Sequence, residues 1–251
     1  MRIAFHILVS LLAVAAPAQS NISVEAPIFP MAKGTAWVYS ARVKWATKGT
    51  EVGGTKTLRW TVTVADSVQK GDVAAALLKG GPWDLAWYEP TVKPREHLIV
   101  RVGSAYYLLH DEAAETLADI KAGKTRDLKD RLADDIWFQL PMEISDNFCS
   151  PEEEERAPMG CWSVEKITTT HSLKVPGLKP RPESTEYLLT FMTNPDTEMV
   201  TLVPGLGILS WWYQHHGTAA EASLKLLEFR APRAGSARKP PTKRKSLASK
   251  H

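Results

Sequence analysis

The sequence predicts a mainly β, single-domain protein: a curved antiparallel meander sheet, half-barrel-like, with a small helical insertion. Three observations carry this prediction. Apolar residues alternate with polar ones along most of the interior of the chain, the periodicity of a strand with one face buried. Turn signals, among them Gly80-Gly81-Pro82, Gly103-Ser104 and Asn194-Pro195-Asp196, break that alternation at short intervals. Helical spacing is confined to the middle, between residues 111 and 136.

Taken in order, Trp37, Tyr39, Val43 and Trp45 mark a first strand with an approximate period of two. Leu58, Trp60, Val62 and Val64 alternate strictly with Arg59, Thr61 and Thr63, which predicts a second strand burying the first set. Gly49 to Gly54 supplies the turn between them, making a hairpin. Further strands are expected at 73–79, 84–88, 96–102, 105–110, 161–170, 185–193, 197–203, 207–214 and 219–229. Asp111 is placed to cap a helix whose Ala113, Leu117 and Ile120 share a face and which stops at Gly123. Leu128, Leu132 and Ile136 predict a second helix by their spacing of four. Short connections between consecutive strands favour a meander.

The ends differ in kind from this domain, which spans about residues 25–231. Residues 1–18 pair a cationic Arg2 with an apolar run from Ile3 to Ala16 and the small residues Ala16-Pro17-Ala18, the pattern of a secretory signal peptide cut near Gln19. The run is shorter than the roughly 20 residues a spanning helix needs, and no later segment is long and apolar enough to cross a membrane. Localisation is therefore expected to be exported, periplasmic or extracellular. Residues 233–251 hold seven Lys or Arg, no acid and almost nothing apolar, the composition of a disordered basic tail. Without that tail and Arg2, the formal net charge of +3 becomes −5, so the domain itself offers no basic surface for specific nucleic-acid binding.

The residue types that carry chemistry give little direction. His215 and His216 are adjacent, and in an extended strand adjacent side chains point to opposite faces, so no shared metal is expected. The glycines of Pro204-Gly205-Leu206-Gly207 lack the longer spacing and Lys of a phosphate loop and read as a turn or bulge. There is no G-x-S-x-G, no C-x-x-C and no cofactor motif. His97, His110 and His171 are available to meet an acid in three dimensions, which spacing alone does not show. Cys149 and Cys161, the only two cysteines, are expected to form a disulfide in an exported chain, and the Glu152 to Glu155 run between them reads as a solvated loop.

Nine tryptophans stand in this chain. Trp211 and Tyr213 fall on one face of their strand and are assigned to the core, leaving Trp212 on the outer or ligand-facing side. Trp83 and Trp87 join Trp212 as candidate ligand-facing aromatics, against the alternative that they pack into the core.

Two pieces carry a resemblance. Phe29-Pro30-Met-Ala-Lys-Gly34-Thr-Ala-Trp37-Val-Tyr39 resembles the F-P-(x)3-G-x-x-W-x-Y opening of uncharacterised exported bacterial β-rich proteins. Val203-Pro204-Gly205-Leu206-Gly207-Ile208-Leu209, followed by the strand LKLLEF, resembles the P-G-x-G strand near the end of the same proteins. The resemblance implies a curved sheet wrapped on one face, similar in plan to periplasmic lipoprotein carriers, and names no catalytic residue. The function expected is non-enzymatic binding of an apolar or lipid-like envelope component, a lipid or an envelope protein, on the curved sheet. The alternatives are a hydrolase assembled from scattered residues, or a purely structural domain.

Overall fold

The computed structural model describes residues 26–47, 51–91 and 93–232. The expected signal peptide and basic tail therefore lie outside the described residues. Twelve strands form one antiparallel sheet: β1 Ala36–Thr47, β2 Glu51–Lys70, β3 Val73–Lys79, β4 Glu96–Val102, β5 Ala105–Leu109, β6 Ile136–Gln139, β7 Asn147–Phe148, β8 Trp162–Leu173, β9 Arg181–Met192, β10 Asp196–Val203, β11 Gly207–His215 and β12 Glu221–Arg230. Helix α1 is Ala113–Lys121 and α2 is Leu128–Arg131.

The sheet is a meander, as its short turns predict. Its order runs β6-β5-β4-β3-β2-β1-β12-β11-β10-β9-β8-β7, so every hydrogen-bonded pair joins strands consecutive in the chain except β1 with β12. That pair closes the ring, from Ala36 opposite Arg230 to Lys44 opposite Glu221. The ladder is missing at one place, between β6 and β7, which end the order and lie near each other. The sheet is thus the expected curved antiparallel meander, closed nearly to a full barrel with one seam.

Strand alternation explains the interior. Trp37, Tyr39, Ala41 and Val43 of β1, Val62 and Val64 of β2, Trp211 and Tyr213 of β11 and Leu224 and Leu226 of β12 all point into one core. The two quoted sequence motifs meet there. Pro27 accepts a hydrogen bond from the Gly205 amide (2.7 Å), and the Trp37 indole donates to the Leu206 carbonyl (2.5 Å). Gly207 has φ +90°, and a Cβ on it would lie 2.8 Å from the Phe29 ring, so this turn needs glycine for both backbone and space.

A second, smaller core lies on the outer face of β3, β4 and β5, where Ala75, Leu98, Val100 and Tyr107 pack against Leu117, Ile120, Leu128 and Leu132. These strands are covered on both faces, which is why β3 reads VAAALLK rather than alternating. The helical insertion therefore covers the outside of the barrel, while aromatic side chains fill the concave inside.

Four local expectations are corrected. Residues 84–88 are not a strand: Pro82–Leu85 forms a 3-10 turn, started by the fixed φ of Pro82. Glu112, not Asp111, holds the N-cap position of α1, with a left-handed backbone (φ 53°) and no side-chain cap. The second helix is only one turn; Leu128 and Leu132 are buried as expected, but Ile136 opens β6, so their spacing of four spans a helix, a 3-10 turn and a strand. β2 already begins at Glu51, inside the stretch read as a turn.

Candidate binding cavity at the barrel seam

The 3-10 turn after β3 starts the site. Gly81 has no room for a side chain, since a Cβ would sit 2.6 Å from His97 and 2.7 Å from Trp83, and this close approach folds Trp83, Asp84 and Leu85 into the barrel. Asp84 is buried and accepts from the Arg95 amide (3.0 Å) and the Arg95 Nε (3.2 Å); His97 Nε2 lies 3.0 Å from the same carboxylate. Burial alone would raise the Asp84 pKa, but the His97 hydrogen bond and charge, followed by Arg95, hold it below the usual carboxylate range. His97, fully buried, meets His110 through their Nδ1 atoms at 2.9 Å. One hydrogen bond between two ring nitrogens holds one proton, so the two imidazoles are not both cationic. Loss of water, then the charges of His97 and Arg95, lower the His110 pKa.

Trp83 connects this chain of polar groups to the interior. Its ring centroid lies 5.3 Å from His97, 5.2 Å from His110 and 5.6 Å from Trp137. Its indole donates to Glu198 Oε1 (2.8 Å), which also accepts from the Trp211 indole (2.5 Å). Oε2 of Glu198 has no hydrogen-bond partner among the described residues. Burial raises the Glu198 pKa to about 7, against the lowering effect of the two indoles.

Beside Trp83 and Glu198 lies a cavity of about 300 Å³. Ile136 and Trp137 of β6 form one side of it and Phe148 of β7 another, so it opens along the unpaired seam; Trp162 and Phe191 line it from β8 and β9. His110, Asp134, Asp135 and Ser150 complete the polar part. Trp137 is fully buried, and its Nε1 has no hydrogen-bond partner among the described residues. An unpaired buried donor is uncommon in a folded chain. A shallower cavity of about 360 Å³ shares Ile136 and Phe148 and lies against Tyr107, Asn147 and Cys149, on the other side of the same seam.

The three candidate tryptophans do not come together. Trp83 lines the cavity; Trp87 is 54% exposed and packs on His215, ring centroids 4.5 Å apart; Trp212 is half-buried and alternates with the inward-facing Trp211 and Tyr213. His215 Nδ1 lies 2.8 Å from Asp196 Oδ1, which also accepts from the Tyr213 hydroxyl, whereas His216 Nε2 lies 3.0 Å from Thr197 Oγ1. The adjacent histidines thus serve different partners. No group of three metal-ligating side chains occurs among the described residues. His171 faces Glu183 at 3.6 Å on the exposed part of β8. Cys149 and Cys161 are paired (S–S 2.10 Å), joining the end of β7 to the start of β8. Sequence reasoning named His97, His110 and Trp83 separately but missed Trp137 and Glu198. Glu198 sits at an inward position of a strand whose neighbours Val200 and Leu202 are buried, and a carboxylate in such a register is the one local signal that could have found it.

No family model matches the chain, and no curated protein matches it in sequence. Two solved structures are similar at a low level. A protein assigned as exported, with a YmcC-like fold, from Bacteroides fragilis NCTC 9343 shares 9% identity at a TM-score of 0.41 over 82% of this chain and 100% of that one. A protein assigned as a lipoprotein, from Parabacteroides distasonis ATCC 8503, shares 7% at a TM-score of 0.36 over 82% of this chain and 99% of that one. Similarity of this degree transfers neither activity nor ligand.

Proposed function

We propose that the protein is an exported, non-enzymatic binding protein that holds one small, partly apolar molecule in the seam cavity. The observation that carries this reading is a cavity at the unpaired seam walled by tryptophan and phenylalanine rings, with a few polar groups at its edge. Size narrows the ligand. At about 300 Å³ the cavity lies at the lower end of the range for small-molecule pockets, too small to enclose a two-chain lipid. The broad concave face first expected to bind a lipid or envelope protein is instead filled by core side chains.

The two histidines favour binding over hydrolysis. Their ring partners are each other and Asp84, and neither bonds a serine, threonine or cysteine among the described residues, as a nucleophile would require. Export rests on the leader-like N-terminus. Native mass spectrometry of mature protein taken from its own cell envelope tests the reading. The expected result is one small adduct per chain, lost in Ser150→Trp, which fills the cavity from its loop wall. An intact, folded protein with no adduct, whose tryptophan fluorescence ignores small apolar probes, would overturn it.

A further inference from the structure

We infer that the seam cavity takes a compact organic cation, an amine or quaternary ammonium group on a small body. The inference rests on the reading of this cavity as a binding site and specifies its ligand. Three carboxylates line it, those of Asp134, Asp135 and Glu198, and among the described residues no Lys or Arg does. The nearest cation on the polar chain behind it, Arg95, is held by buried Asp84. His110 is the remaining ionisable group on the wall, and the loss of water around it together with the neighbouring His97 keeps its ring toward the neutral form.

Above about pH 7, where Glu198 is ionised, an anion would meet like charges with no cation beside them among the described residues, and a hydrocarbon would take water from those carboxylates and return nothing. A cation offsets both. The rings suit it as well: Trp83 and Trp137 meet at 76°, Trp137 and Trp162 at 60°, so the indoles stand as walls around a space rather than as a closed stack. Tryptophan faces attract cations more strongly than other aromatic rings do, and aromatic cages are a recurrent way to hold quaternary ammonium groups. The Oε2 atom of Glu198, unpaired among the described residues, is available as the counter-charge.

Choline and its neutral carbon isostere 3,3-dimethylbutanol separate charge from shape, since both carry the hydroxyl. Isothermal titration calorimetry of the mature protein at about pH 8 should show choline binding at least about tenfold more tightly than the isostere, the scale of a desolvated cation–π contact. Glu198→Gln keeps an acceptor for the Trp83 and Trp211 indoles and should weaken choline about tenfold while leaving the isostere unchanged, with a single cooperative melting transition no lower than that of the wild type as the folding control. Wild-type affinity for choline should also fall as pH is lowered through about 7, where Glu198 gains its proton, and Glu198→Gln should remove that dependence. Asp134, Asp135, His110, Asp196 and the cross-strand Tyr213 are other titratable groups around it, and Asp135→Asn serves as the comparison and should leave the dependence in place. Equal affinity for the two probes would overturn the cation and leave the cavity a binding site. Neither probe binding while the native adduct is retained would do the same. Neither probe binding and no adduct would remove both readings.

Discussion

The Glu198 carboxyl has a pKa of about 7 in the folded chain, against an ordinary 4.5. The folded state therefore holds its proton more tightly than the unfolded chain does. That advantage is complete below the ordinary value and is lost as pH rises to about 7. Glu198→Gln, neutral throughout, should remove a loss on the order of 2 kcal/mol over this window, discounted because the side chain is only half-buried; urea unfolding of both proteins across the window measures it. At the same scale, Trp211 is buried and bonded to Glu198 while Trp212 faces outward. Trp211→Ala should cost about 3 to 5 kcal/mol and Trp212→Ala about 1, read from chemical denaturation midpoints. The facing of Trp211, Trp212 and Tyr213 was legible from the sequence because the strand period of two is local. The role of Glu198 was not, because its indole partner Trp83 comes from a turn 115 residues away.

Among the elements, β7 has two residues, pairs only with β8, and is held at Cys149 by the disulfide to Cys161. Closing a loop this short restricts the unfolded chain by about 3 kcal/mol, so the double Cys149→Ser, Cys161→Ser variant should lose that much stability. It should also lose ligand affinity, since Phe148 on β7 lines the cavity; calorimetric unfolding and a binding titration on the variant check the two effects. The long strands were readable because each contains several periods of alternation. β6, with the sequence IWFQ, and β7, with NF, are too short to show a period, and they are the strands that border the site. Residues 84–88 were misread for the opposite reason: the alternation in DLAWY comes from a 3-10 turn whose buried Leu85 and exposed Trp87 happen to lie two apart.

For the molecule as a whole, the meander was legible in the succession of strands and turns, but the closure was not. The pairing of β1 with β12 joins the two ends of the domain, and the seam falls between two strands that follow each other in the chain. A ladder opens most readily where strands lack a second partner. Amide hydrogen exchange should accordingly be fastest along β6 and β7 and slowest in β1 and its neighbours β2 and β12, and binding of the small ligand should slow exchange at the seam most.

Placing the gap between consecutive strands also makes nearly all of the barrel's pairing local in sequence, with one costly exception, the β1–β12 ladder that must bring Ala36 to Arg230. Loop closure over that distance is an entropic barrier, and folding slows as the mean separation of contacts grows. The ends already lie close, with Pro232 3.9 Å from the Cβ position of Gly34, whereas Ile144, in the connection from β6 to β7, is 61% exposed. A chain joined from residue 232 to 26 by a short flexible linker and cut between Glu143 and Ile144 would keep every strand pair and turn the distant one into a hairpin. Stopped-flow refolding of that circular permutant should be several-fold to tenfold faster than that of the natural order, with the same barrel at the end.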